Sequence, residues 1–417
     1  MKKRHFSITA GIDVHRDTVV VTVRHHRDGD EDTLETKTFE TFRDSLVEMT
    51  KWLVEQSVEV VGLESTGVYW RPVVRVLHES AQQLMVWLIN PLDVKRGGRG
   101  RKTDVKDSRR ISELVMYGMV NPSYLASREQ EELRLLTRHR AKLIADQTRY
   151  KNRIIKGLEA SGVKLASVLS DCFGVSGRAM IEALLDEKAP EAVAQLARGV
   201  ARRNINRLTR AAQGGFTPST QLVLRQNFKL LDLVDEQLRQ IEAQIETLAA
   251  PLKADRELLN TIPGVDDTSS AAILAETGSD MSVFPTAKHC TAWTGLSPGS
   301  EESAGKSKSA PARKGNKYLR TALVQSAWSA VRTNGSIYQT AFRRLASRLG
   351  PKKAIVAIAR KMLTAAYHML RDRRPFTPPD QLPTPERVRD RLRRRYMKAL
   401  ENLGFHVAPT TADPTVS

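Results

Sequence analysis

The first ninety residues change hydrophobic period in a way that few folds can absorb. Ile8 to Val14, Thr18 to Val23 and Leu34 to Phe39 are short apolar or alternating segments joined by polar turns, the pattern of an antiparallel three-stranded meander. The period then lengthens. Phe42, Leu46, Met49 and Leu53 recur at helical spacing, Val58 to Leu63 is again a short apolar strand, and Tyr69 to His78 reads as a helix. Leu84 to Ile89 is a further strand, which Asn90-Pro91 ends before a helix carrying Asp104 and Asp107. The order β-β-β-α-β-α-β-α predicts a mixed sheet with helices on its faces.

That order is the one found in the ribonuclease H fold, and it gives the carboxylates an address. Asp13 falls in the first strand, Glu64 at the end of the fourth, and Asp104 and Asp107 at the start of the last helix. The last two are three apart and share a helix face, which Ile111 and Leu114 continue toward the protein. Carboxylates held close together need a positive partner. Within Arg101-Lys-Thr-Asp-Val-Lys-Asp-Ser-Arg-Arg110 that partner is either the surrounding basic side chains or a pair of Mg²⁺ ions. The first choice describes a solvated, salt-bridged helix; the second describes a site for phosphoryl transfer.

Charge narrows the partners. Lys and Arg number 66 against 47 Asp and Glu, a formal net charge of +19, which favours a polyanion. Asp13, His15, Arg16 and Asp17 interrupt any apolar run after the basic N-terminus, and no stretch approaches a membrane span, so nucleic acid in a cytoplasmic setting is expected. Cys172 and Cys290 are too few and too far apart for a zinc cluster or a disulfide framework and read as ordinary thiols.

Downstream the pattern is helical. Glu131 to Leu158 is a long helix in which Leu136, Leu143 and Tyr150 form a stripe among many Arg and Lys, a surface suited to a phosphate backbone or simply to water. Leu231, Val234, Leu238, Ile241, Ile245 and Leu248 alternate spacings of three and four, a coiled-coil seam that pairs either with the first long helix or with a second copy. Pro251 opens a further region. There Leu258 to Val265 and Thr268 to Thr277 resemble a helix-hairpin-helix, with Gly264 in a turn suited to phosphate. Thr294 to Ser309 is rich in Gly, Ser and Lys, the composition of a flexible linker, yet Lys314 to Arg320 runs straight into an apolar helix. A serine in such a basic loop is a candidate nucleophile. Arg371 to Arg395 is a basic extension interrupted by prolines, and residues from Ala408 are expected to be disordered.

Gly11-Ile-Asp13, Leu63 to Tyr69, Asn90-Pro91, Lys102 to Asp107, Ile262-Pro-Gly264, Gly295 to Pro298, Ser303-Ala-Gly305, Lys314-Gly-Asn316 and Leu319-Arg320 together resemble the DEDD insertion-sequence transposases of the one-ten family, bridge-RNA-guided recombinases that use a serine. The resemblance covers most of residues 8 to 370. It implies that Asp13, Glu64, Asp104 and Asp107 hold the metal, as two Mg²⁺ ions, and that Ser303 is the nucleophile among Ser300, Ser303, Ser307 and Ser309. Ala304 follows Ser303 where the family more often has Gly.

The expected architecture is therefore α/β plus all-α. A ribonuclease H-like (RuvC-like) DEDD domain occupies 1–125, a helical and coiled-coil region 126–250, a helical serine-bearing transposase domain 251–375, and a basic, then disordered, tail 376–417. Expected nucleic-acid contacts are Arg101, Lys102, Lys106, Arg149, Arg153, Gly264, Lys306, Lys314, Lys317 and Arg320. Expected partners are double-stranded target and donor DNA, an element-encoded noncoding RNA and further copies of the chain, as a dimer or tetramer, in the bacterial cytoplasm at the nucleoid, with no membrane. The alternative activity is a metal-dependent junction nuclease that uses water.

Overall fold

The computed structural model describes residues 5–26, 31–65, 67–91, 94, 103–303, 306–312, 315–378 and 386–405. Two compact units divide the chain, Met1–Ala126 and Ser127–Ser417. The first is mixed α/β and the second is mostly helical.

In the first unit, β1 (Ile8–Val14), β2 (Thr18–His25) and β3 (Thr33–Glu40) form the antiparallel meander. After α1 (Arg43–Glu55), β4 (Val60–Glu64) pairs parallel with β1; after α2 (Trp70–Ser80), β5 (Met85–Ile89) pairs parallel with β4. The five strands lie in the order β3-β2-β1-β4-β5. Strand alternation sends Ala10, Ile12, Val61 and Leu63 into a large apolar core with α1 and α2. The opposite face receives α3 (Asp104–Met116).

Small residues let α3 come close. A Cβ on Gly11 would collide with the backbone of Ser108 and Ser112, and one on Gly62 would meet the side chains of Val115 and Ile111. Thr9 Oγ1 donates to the Ser112 carbonyl at 3.0 Å, and the hydroxyls of Thr22 and Ser108 are 2.8 Å apart. The helix that brings Asp104 and Asp107 is thus fixed in register against the strand that brings Asp13.

At the edge of this unit, Asp32 lies 2.9 Å from Arg24 Nη1 and 2.8 Å from His26 Nδ1. Burial raises the Asp32 carboxyl, but the hydrogen bonds from His26 and Arg24 outweigh it and hold the group below the usual carboxylate range. The folded value lies below the unfolded one, so this stabilisation is complete above about pH 4 and is lost as pH falls through the folded value. Asp32→Asn is expected to lower Tm at pH 7 and to narrow the difference between pH 7 and pH 3. Parallel acid curves for the two proteins would assign the acid sensitivity to another group.

In the second unit, α4 (Arg128–Ala160) and α8 (Pro218–Ala249) run antiparallel, with α5 (Val175–Leu185), α6 (Pro190–Gln195) and α7 (Ile205–Ala211) between them in sequence. Leu143 packs with Val234 and Leu238, Leu133 with Ile245, and Gln147 donates to Asp235 at 2.7 Å. The apolar seam of residues 231–248 thus finds its partner within the chain. The remaining helices are α9 (Lys253–Asn260), α10 (Asp267–Thr277), α11 (Ala287–Trp293), α12 (Lys317–Arg332), α13 (Ile337–Leu349), α14 (Pro351–Asp372) and α15 (Glu386–Asn402). Helices α9 to α14 close around one core that includes Leu259, Leu274, Leu323, Ile358 and Met362.

The Gly-, Ser- and Lys-rich stretch departs from the expected loop. It forms β6 (Pro298–Ser303) and β7 (Lys306–Ala312), an antiparallel hairpin. Its backbone pairing supplies order that its side-chain composition does not advertise.

Candidate functional site

Asp13 is the penultimate residue of β1, on the face that Gly11 gives to α3. Its side chain is 16% exposed. Asp104 is the first residue of α3, whose N-cap Thr103 accepts a hydrogen bond from the Lys106 amide at 3.3 Å. The helix N-terminus favours the carboxylates of Asp104 and Asp107 in its first turn. Between the two chain segments stands His15, with Nε2 3.2 Å from Asp13 Oδ2 and 3.3 Å from Asp104 Oδ1. Ligand atoms of Asp13, His15 and Asp104 all lie within 4.8 Å of one another.

Burial raises the Asp13 carboxyl above its ordinary value; His15 opposes this, while Asp107 and Asp104 add to it by like-charge repulsion. Such a site is relieved by a cation. Two carboxylates and an imidazole fit a divalent ion, the carboxylates suiting hard ions and the imidazole extending the choice to transition metals. Glu64 ends β4, one residue beyond the Ile12–Leu63 pair, and shares strand parity with Gly62 on the α3 face. It stands level with Asp13, half-buried, outside the 4.8 Å group, as does Asp107.

Ser303 belongs to the second unit. It is the last residue of β6, opposite Lys306 across the hairpin, and so lies at the tip. Among the expected nucleic-acid contacts, Lys106 and Lys317 are exposed, Arg320 is half-buried, and Lys306 opens β7. Arg149 pairs with Asp146 at 2.6 Å, and Arg153 sits over the Tyr150 ring. Arg101, Lys102 and Lys314 lie outside the described residues.

Gly264 differs from expectation. Its φ of +86° suits glycine, but a Cβ there would strike the backbone of Ser326 and Ala330, so it serves the close approach of α12. The following helix N-terminus is already capped by Asp266, which accepts from the Ser269 amide at 2.8 Å, and Asp267 adds a second acid. Those acids disfavour a phosphate at that end.

A broader charge feature runs through this unit. From residue 303 to residue 371 the chain has fifteen Lys and Arg and no Asp or Glu. Arg343, Arg344, Arg348, Lys352 and Lys353 present an exposed run across the α13–α14 turn at Gly350.

Comparison with known proteins bears on both units. A family model described as a transposase of the DEDD, IS110 type matches residues 10–161, and the Transposase IS116/IS110/IS902 family model matches residues 256–342. The chain belongs to the IS110-family DEDD transposases. It is 29% identical over 296 residues to the insertion element IS110 uncharacterized 43.6 kDa protein of Streptomyces coelicolor, covering 65% of this transposase and 71% of the relative. The insertion element IS116 uncharacterized 44.8 kDa protein of Streptomyces clavuligerus is 28% identical over 313 residues, or 70% and 76% of the two chains. A pilin gene-inverting protein of Moraxella bovis is 34% identical over 122 residues, 28% of this transposase and 38% of that protein.

The chain is thus a DNA transposase/recombinase, and its DEDD family suggests divalent metal use. Among the described residues, no helix is long and apolar enough to cross a membrane. Sequence reading passed over His15 as a site residue. The available signal was its nearness in sequence to Asp13, two residues on and just past the end of β1.

Proposed function

We propose that this transposase cuts and rejoins DNA strands through a serine–phosphate intermediate, on a ribonuclease H-like metal site, guided by an RNA from its own element. The observation that carries the proposal is the meeting of Asp13, His15 and Asp104, whose ligand atoms lie within 4.8 Å of one another. The sheet order β3-β2-β1-β4-β5 with α3 across β1 supports the ribonuclease H-like reading. Asp13, Asp104, Asp107 and Glu64 hold the metal, taken as two Mg²⁺ ions, and His15 orients the first two carboxylates.

When bound, the metal draws electron density from the phosphate and stabilises the leaving oxygen. The Ser303 hydroxyl attacks phosphorus; a P–Oγ bond forms, the bond to the leaving DNA oxygen breaks, and the proton released from Oγ is balanced by one gained on that oxygen. The serine ester keeps the phosphodiester's bond energy, so a second DNA hydroxyl rejoins the strand without ATP. The cations of residues 303–371 supply phosphate contacts for target DNA, donor DNA and guide RNA, while base pairing carries sequence. Further copies of the chain, as a dimer or tetramer, bring the two DNA partners together.

The test is incubation with Mg²⁺, the element's noncoding RNA and end-labelled DNA, resolved on a denaturing gel. A labelled protein–DNA adduct is expected, lost in Ser303→Ala with DNA binding intact, and lost with all cleavage in EDTA. Free cut ends with no adduct would point to a nuclease that uses water, and full activity in EDTA would refute the metal.

A further inference from the structure

Away from the acidic cluster, the most heavily engaged buried charge is Glu276 in the last turn of α10. It is 2% exposed. Arg138 of α4 grips it with two charge-assisted hydrogen bonds, Nε to Oε1 at 2.7 Å and Nη2 to Oε2 at 2.8 Å. Arg134 lies 3.4 Å from Oε2. The same Oε2 accepts from Asn316 Nδ2 at 2.6 Å.

Asn316 is the residue through which the hairpin leaves for α12. Its Oδ1 caps that helix, accepting from the amides of Tyr318 and Leu319 at 3.1 Å each. Its own amide donates to the Trp293 carbonyl at 3.3 Å. Gly315, just before it, lies so near the backbone of Thr294 and Gly295 that a Cβ would collide. Only three residues separate Asn316 from the end of β7. The carboxylate held by Arg138 is therefore one of the contacts that hold Asn316.

We infer that Glu276 is a positioning residue for the serine-bearing hairpin, acting through Asn316. Its catalytic consequence rests on the serine reading above; the anchoring itself does not. A bidentate guanidinium leaves the carboxylate little freedom, and burial strengthens the hydrogen bond that Oε2 passes on. By composition, PGSEES and KSKSAPA, the hairpin brings no large apolar residue to serve as an anchor of its own.

The side-chain chemistry permits a reversal. Asn316→Asp keeps a good cap but sets a second carboxylate against Glu276. Glu276→Gln with Asn316→Asp restores the bond to residue 316 with donor and acceptor exchanged, at the loss of the Arg138 Nη2 bond to the same atom. Three quantities are read on the full chain: amide hydrogen exchange across residues 298–312, DNA Kd, and the single-turnover cleavage rate at saturating DNA. Asn316→Asp is expected to speed exchange in the hairpin and to slow cleavage about 10- to 100-fold, the order that a misplaced reacting group costs, with Kd unchanged. The double variant is expected to recover part of both, since one of the two Arg138 bonds is given up.

Unchanged hairpin exchange in Asn316→Asp, or a double variant no better than the single, overturns the inference. Faster exchange spread through α10 and α12 with a matching fall in Tm overturns it too, since that is general destabilisation. Should exchange respond and recover while Ser303→Ala still cleaves and forms an adduct, the anchoring stands and the serine assignment falls.

Discussion

Asp13→Asn is expected to lower strand cleavage by on the order of a thousandfold while leaving the fold as stable as before or more so. Removing a carboxylate from a metal site forfeits several kcal/mol of transition-state stabilisation, and each 1.36 kcal/mol is about a factor of ten in rate. Stability moves the other way because Asp13 is held where its ionised form is costly, by burial first, which His15 only partly offsets, and then by Asp107 and Asp104. The amide keeps the shape and removes the repulsion. Thermal denaturation beside single-turnover cleavage checks both halves. A clear drop in Tm would mean that Asp13 is structural, and cleavage within tenfold of the parent would remove it from the metal site.

The second large effect is expected at a residue with no side chain. Gly11→Ala puts a methyl group into the backbone of Ser108 and Ser112. Overpacking of this kind costs roughly 1–3 kcal/mol. Because α3 must withdraw, Asp104 and Asp107 move away from Asp13, and a shift of about 1 Å in reacting groups costs about 100-fold in rate. Gly11→Ala should therefore lose more activity than its stability loss explains. Assays at a temperature where the variant remains folded separate the two. Normal cleavage from a folded Gly11→Ala protein would show that α3 does not set the geometry of the acids.

The first unit was legible in the sequence for a physical reason. Its strands are short and its helices amphipathic, so the change of period between Phe39 and Leu46 marks a real change of structure. The face on which Asp13 and Glu64 lie follows from alternation, since Ile12 and Leu63 must be buried. His15 escaped because it stands past the end of β1 in a polar turn, where periodicity carries no information. The β6–β7 hairpin escaped because Gly, Ser and Lys have weak strand preference and no apolar alternation. Glu276 was hidden by separation along the chain: it lies 138 residues from Arg138 and 40 from Asn316, and each taken singly is an ordinary polar residue on a helix or loop.

The stretch from 303 to 371 carries a consequence for how the molecule spends its time. With fifteen cations and no acid in that span, the chain must draw its counterions there from outside it, as Arg371 does from Asp372. A polyanion supplies them, and its hold tightens as ionic strength falls. Most encounters with DNA then begin as sequence-blind adhesion, and the search for a target becomes travel along a strand already held rather than repeated capture from solution.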